Sequence, residues 1–304
     1  MTSPVLPSWR EGETRSAILD FLARVDEIPP DERVAVFDND GTLLCEKPDY
    51  IQLEFFLAEL EQATADNPAL TDRAEYRAIQ ENDRSALAEI GLEGLFVALL
   101  DLFVDLTPEE FDGRVRNFFT TNVHQDRQVP LDQLRYQPML EFLDELRRSG
   151  FDCYLSTGGG SEFVRVISHD FYGIGPEGVV GSQIDYAFRR DDAGQPILTR
   201  TNQIVASGPN EGTTKVPNIR RILGRRPVVA GGNSAGDTEM LEYAAAYDGP
   251  SLAILIDHDD ADREYAYVSE AGTFDANEPI LETADRLGWT VVSMKNDWAT
   301  VFPG

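Results

Sequence analysis

Four short apolar runs, rich in β-branched residues, recur along this chain: Val34-Ala35-Val36-Phe37, Asp152 to Ser156, Val228 to Ala230 and Leu252 to Ile256. Runs that are apolar at every position, rather than at every second one, mark strands buried on both faces, as in a parallel sheet covered by helices. Each is followed by Gly or Asp and, in most cases, by helix-like sequence. This alternation predicts an α/β fold: a Rossmann-like, doubly wound parallel sheet. In open sheets of this kind ligands bind at the carboxyl ends of the strands, so the loops after these runs are where chemistry is expected.

Between Cys45 and about Arg135 the character changes. Strand-like runs vanish and helical patterns dominate, over Ile51 to Leu60 and Leu92 to Leu106, followed by the capping box Thr107-Pro108-Glu109-Glu110 ahead of Phe111, Val115, Phe118 and Phe119. The expected organisation is a core domain of 1–45 and 136–304 carrying an inserted helical domain over 46–135. Phe96, Leu99, Leu100 and Phe103 have helical spacing and read as the insert's own core. Thr14 to Val25 and Pro138 to Arg148 are expected helices of the core, and Gln183 to Asn202 is an expected hairpin around Asp192-Ala193-Gly194. The tail from Trp289 through Val291-Val292 either adds an edge strand or packs on the core.

Charge narrows the range of partners. Twenty-six basic and 54 acidic side chains give −28, and only three of the basic ones are lysines: Lys47, Lys215 and Lys295. Such a field repels phosphate backbones and anionic lipid, so no nucleic-acid or membrane-surface partner is expected. The plain reading of the excess is solubility in a salt-rich setting; a surface made for a cationic partner is the alternative. No run approaches the ~18 apolar residues of a membrane span. The two cysteines, Cys45 and Cys153, make no disulfide framework, Cys153 lying in an expected buried strand, and Met1 to Arg10 has no secretory pattern, so a cytoplasmic location is expected. His124, His169 and His258 are too scattered for a metal-ligand spacing and are assigned to surface or hydrogen-bonded roles.

The densest chemical signal is Asp38-Asn39-Asp40-Gly41-Thr42, directly after the first strand. Residues two apart on an extended chain share a side, so Asp38 and Asp40 bring two carboxylates to one mouth of the sheet. A hard divalent cation such as Mg²⁺ relieves their repulsion. The pair suits phosphoryl transfer, with one Asp attacking phosphorus and the other giving a proton to the leaving alcohol. A calcium loop fits poorly, because Gly41 is fourth rather than sixth and a strand, not a helix, precedes. A plain Asp-Gly turn remains the alternative for this segment alone.

Three further elements follow in order. Leu155-Ser156-Thr157-Gly158-Gly159-Gly160-Ser161 places a hydroxyl and glycine amides before a helix, as a phosphate cradle does. Lys215 stands between the polar stretch Gly208 to Thr214 and a helix ending near Leu223. Gly231 to Gly236 imitates a P-loop, but Asp237 occupies the place of its lysine, so nucleotide cradling fails. Asn233 and Asp237 instead supply oxygen ligands toward a cation facing Asp38.

These four elements, in this order, resemble those of the haloacid dehalogenase-like hydrolase superfamily, nearest its phosphoserine-phosphatase-like branch. The resemblance covers about 34 to 45 and 138 to 260, and the inserted helical domain lies where that family carries a cap. It implies that Asp38 is the nucleophile that becomes an aspartyl-phosphate, with Asp40 as general acid and then base. Thr157, Gly158 and Lys215 would bind the phosphoryl group; Asp38, Asp40, Asp237 and Asn233 would hold or orient Mg²⁺. The implied activity is Mg²⁺-dependent hydrolysis of a small phosphorylated metabolite, the alternatives being a phosphotransferase with the same intermediate and a non-catalytic phosphate-binding protein. Asp40 sets the chain apart from dehalogenating relatives. Two positions depart from the pattern: Asn233 replaces a frequent Asp, and Glu46 is one residue earlier than the substrate-reading glutamate of phosphoserine phosphatases, with Lys47 in its place.

Overall fold

A computed structural model of the chain describes residues 5–274 and 276–304, and of 92 and 93 the backbone alone. The strands in chain order are β1 (Val34–Phe37), β2 (Asp152–Gly160), β3 (Val179–Ser182), β4 (Ile184–Arg190), β5 (Pro196–Ile204), β6 (Val229–Gly232), β7 (Leu252–Asp257) and β8 (Thr290–Ser293). The helices are α1 (Glu13–Ala23), α2 (Ile51–Asp66), α3 (Ala74–Gln80), α4 (Arg84–Asp101), α5 (Pro108–Thr121), α6 (Gln137–Arg148), α7 (Ser161–Tyr172), α8 (Lys215–Leu223), α9 (Thr238–Ala245), α10 (Ile280–Leu287) and α11 (Met294–Asp297). None of the described helices is long and apolar enough to cross a membrane.

The chain divides into two compact units. The first gathers the chain up to Lys47 with Asn122–Ser182 and Ser207–Gly304; the second joins Pro48–Thr121 to Gln183–Ala206. This division differs from the 46–135 insert expected from sequence at two places. Segment 122–135 stays with the sheet, where Cys45 donates its amide to Leu134 and Tyr136 donates to Leu43. The β4–β5 hairpin belongs to the helical unit because β5 docks there: Arg200 donates to the Leu106 carbonyl and Asp105 donates back to that of Arg200. A weakly alternating hairpin carries no signal of which unit it will join.

The first unit is a six-stranded parallel sheet of order β3-β2-β1-β6-β7-β8. Every residue of β1 is buried, as its uniformly apolar sequence requires. Val34 and Val36 point to one face and meet Ile219 of α8 and Met240 and Leu241 of α9. Phe37 points to the other, edge-on to Phe142 of α6 at 5.9 Å. The tail supplies an edge strand, β8, parallel to β7. Cys153 is half-buried rather than buried, because the amino end of β2 emerges toward solvent before its centre is covered.

The second unit is built on aromatic packing. Phe55 of α2 lies 5.4 Å from Phe103, 5.5 Å from Phe118 and 5.8 Å from Phe111, ring centre to ring centre. The capping box forms as expected: Glu110 donates its amide to Thr107 Oγ1 at 3.2 Å, and Thr107 donates its own to Glu110 Oε2 at 2.8 Å. The helix expected over Leu92 to Leu106 runs instead from Arg84 to Asp101, broken at Gly91 (φ 75°, ψ 162°). Asp83 caps it by accepting from the amides of Ser85 and Ala86.

Candidate active site

Strand register alone brings the motifs together. Phe37 is level with Leu155 of β2 and Gly231 of β6, so Asp38, the first residue past β1, comes out beside Ser156 of β2 and Gly232 of β6. The Asp38 amide donates to the Gly231 carbonyl at 2.9 Å, fixing the start of the loop. Connections from β1 and β6 diverge here, since β1 continues toward β2 and β6 toward β7; an open sheet has its binding crevice at such a reversal.

Gly41 turns the chain after Asp40. Its φ of +72° is left-handed, and a Cβ there would meet Asn233 Nδ2 at 1.9 Å and Glu46 Cδ at 2.9 Å, so only glycine fits. The turn closes with Gly41 donating to the Leu44 carbonyl, and Asn39 accepts at its own carbonyl from Leu43 and Leu44. Buried Tyr172 of α7 donates its hydroxyl to Asn39 Oδ1 at 2.7 Å. His258, itself buried, donates Nε2–H to the Gly41 carbonyl at 2.8 Å.

Lys215 is the first residue of α8 and is 2% exposed, so its charge must be paired inside the protein. Its Nζ donates to Asp38 Oδ1 at 2.8 Å, to Asp237 Oδ1 at 2.6 Å and to the Ser156 carbonyl at 2.8 Å. All three donors of the ammonium are used. Asp237 spends its other oxygen on the amides of Asn233 (3.0 Å) and Ser234 (3.1 Å), which closes the loop after β6. Asn233 faces a different way: its Oδ1 accepts from Thr42 at 3.3 Å, and its Nδ2 donates to Glu46 Oε1 at 3.3 Å and Ser269 Oγ at 3.1 Å.

Thr157 is fully buried and its hydroxyl accepts the Gly159 amide at 3.0 Å, an ordered turn that leaves Gly158 exposed at the rim. Asn210 holds this turn from beneath. Its Nδ2 donates to the Thr157 carbonyl at 3.0 Å, with Ser156 Oγ and the Val180 carbonyl also in reach, while its Oδ1 accepts from Asn218 of α8. Asn210 thus ties the Thr157 loop to the helix that begins with Lys215. Sequence reasoning missed it, along with Tyr172 of α7, because a single polar residue carries no spacing to read, whereas His258 takes one of the hydrogen-bonded roles expected of it.

The electrostatics are unbalanced. Burial, repulsion from Asp237 and, more weakly, from Asp40 raise the Asp38 carboxyl well above its usual range, although Lys215 opposes them. Asp40 is raised too, mainly by burial. Burial works against the charge of Lys215, but Asp237 and Asp38 outweigh it and hold the ammonium protonated. Two carboxyl groups, those of Asp38 and Asp237, share one ammonium with Asp40 beside them, so carboxyl groups outnumber cations at the strand ends and a divalent cation would offset the excess. Among the described residues no group of three or more His, Cys, Asp or Glu is arranged to hold a metal ion. The donor set fits a cation of the Mg²⁺ type, which needs only one or two carboxylates and takes its other oxygens from water and substrate phosphate.

Fold and site together define a protein of the parallel α/β class with an acidic, lysine-bridged centre. The chain belongs to the haloacid dehalogenase-like hydrolases, whose family model matches residues 35–242. Among solved structures it is similar to a conserved protein of unknown function from Anaerococcus prevotii, with 15% identity, TM-score 0.55, and coverage of 84% of this chain and 89% of that one. A protein of unknown function from Bordetella pertussis is similar at 19% identity and TM-score 0.51, over 86% and 98% of the two chains. Phosphoserine-phosphatase-like proteins are also among the structural neighbours, such as a phosphoserine phosphohydrolase-like protein from Francisella tularensis (15% identity, TM-score 0.39, 84% and 99% covered). No curated protein matches the chain.

Proposed function

We propose that this hydrolase is a phosphatase that cleaves small phosphomonoesters through an aspartyl-phosphate on Asp38, with a divalent cation of the Mg²⁺ type. One observation supports the reading above the others. Lys215 bridges Asp38 and Asp237 at 2.8 Å and 2.6 Å, so the carboxylate after β1 is held in place by a fixed cation at the binding edge of the sheet.

In the first step an Asp38 carboxylate oxygen attacks phosphorus, the bond from phosphorus to the ester oxygen breaks, and Asp40 gives its proton to the departing alkoxide. Burial raises the Asp40 carboxyl above its ordinary range, the direction that favours an acid at that position. In the second step Asp40, now a carboxylate, takes a proton from water as the oxygen of that water attacks phosphorus. The bond to Asp38 breaks, inorganic phosphate leaves, and both side chains return to their starting states. Lys215 lowers the cost of bringing a phosphate dianion against Asp38, and Thr157 with the Gly158 amide would bind phosphoryl oxygens. Asp38 and Asp40 would hold the cation, with Asp237 and Asn233 setting the loop beside them; the ion would supply the positive charge that the side chains lack.

Phosphate release from a panel of phosphorylated metabolites in Mg²⁺ buffer tests this reading. Turnover is expected with at least one, is expected to fall to background with a chelator, and to return with added Mg²⁺. Release that is indifferent to the chelator, or none across the panel, would contradict it.

A further inference from the structure

Glu46 is 5% exposed, with the side chain of Tyr267 beside its carboxylate. That carboxylate also meets the Asn233 amide, Oε1 accepting from Nδ2 at 3.3 Å, directly against Gly41, whose missing Cβ leaves the space both groups fill. The acceptor at Glu46 fixes the orientation of that amide, because only Nδ2 can donate to it. Asn233 Oδ1 is consequently turned to Thr42, from which it accepts at 3.3 Å. One side chain from the loop after β6 is thereby clamped to both ends of the turn after β1.

We infer that Glu46 is a positioning residue: by orienting the Asn233 amide it fixes the Gly41–Thr42 turn, and through it the placement of Asp40. The inference rests on the phosphatase reading for its effect on rate, but not for the pairing itself. The polarity of the contact is what matters. An aspartate at 233 keeps the shape and loses the donor, so two acceptors would face each other in a buried place. A glutamine at 46 combined with an aspartate at 233 reverses the donor and the acceptor and restores the bond.

The test compares Glu46→Gln, Asn233→Asp and the double variant with wild type, all as full-length protein. Hydrogen exchange of the peptide spanning 38–45 reports the turn independently of activity. It is expected to rise at least about tenfold in Asn233→Asp and to return to within about twofold of wild type in the double variant. The turnover number for the best substrate is expected to follow the same order, with KM changing less than kcat. Equal exchange in Asn233→Asp and wild type, or a double variant no better protected than Asn233→Asp, would overturn the inference. If exchange follows the polarity and no variant, wild type included, releases phosphate, the pairing stands and the phosphatase reading fails. If exchange follows the polarity while kcat stays constant in an active enzyme, Glu46 holds the turn but has no positioning role.

Discussion

The carboxyl edge of the six-stranded sheet and the interior of the helical unit bury opposite kinds of side chain. At the edge, Lys215 and Asp237 are buried at 2% and 0% exposure and face Asp38, so the chain bears the cost of desolvating charge. In the helical unit, Phe55, Phe103, Phe111 and Phe118 fill the interior, and the buried guanidinium of Arg200 lies 3.7 Å over the Phe111 ring. Aromatic burial of this kind is directly stabilising. Buried charge is weak evidence for stability, so its presence at the strand ends points to a role in chemistry, whereas the aromatic cluster needs no role beyond holding its unit together.

That contrast can be broken by substitution. Lys215→Met leaves Asp38 and Asp237 facing each other without a cation. It is expected to lower stability to urea by about 3–5 kcal/mol, the usual cost of orphaning a buried charge, and to abolish phosphate release. If Lys215→Met stays active, the ammonium is structural and the two regions differ less than argued. Phe55→Ala is expected to cost a similar 3–5 kcal/mol through the cavity it opens, while protein kept folded at low temperature still transfers phosphoryl groups to Asp38. Loss of that transfer in folded Phe55→Ala protein would mean that the aromatic unit has a direct part in the chemistry.

A smaller effect distinguishes a third kind of burial. Glu264 is buried, and desolvation alone would raise its pKa, but hydrogen bonds from His258, Cys45 and the Tyr265 amide outweigh this and hold it below the usual range. Its folded pKa is below the unfolded one, so the stability it contributes is complete above the unfolded value of about 4.3 and is lost as pH falls through the lower folded value. Melting curves from neutral pH into that range are expected to show a steeper acid decline for wild type than for Glu264→Gln. Parallel curves would remove Glu264 from the set of groups that hold the first unit.

Much of this could be read before the fold was known, and the reasons are local. β1 is four apolar residues followed by Asp38, and both its burial and the position of the carboxylate follow from that short pattern. Lys215 stood out through the scarcity of lysine, and it is the residue that bridges the acidic side chains. The His258 contact to Gly41 was not legible, since it joins residues 217 positions apart and depends on how the chain returns after β7. Asn233 was legible as a departure but not as a clamp: its partners Thr42, Glu46 and Ser269 come from two distant segments. The helix expected from Leu92 starts just past the break at Gly91, and the short stretch before it, from Arg84, was not read because it carries little apolar spacing of its own.

The central claim is that Asp38 carries the phosphoryl group. It is tested most directly by acid-quenching Asp40→Asn, which removes the base proposed for the second step, during turnover of a substrate whose leaving group needs no proton. Peptide mass spectrometry should then find one phosphoryl group on Asp38, and none when Asp38→Asn is treated in the same way. Phosphate release with no adduct at Asp38, or an adduct on another residue, would contradict the account.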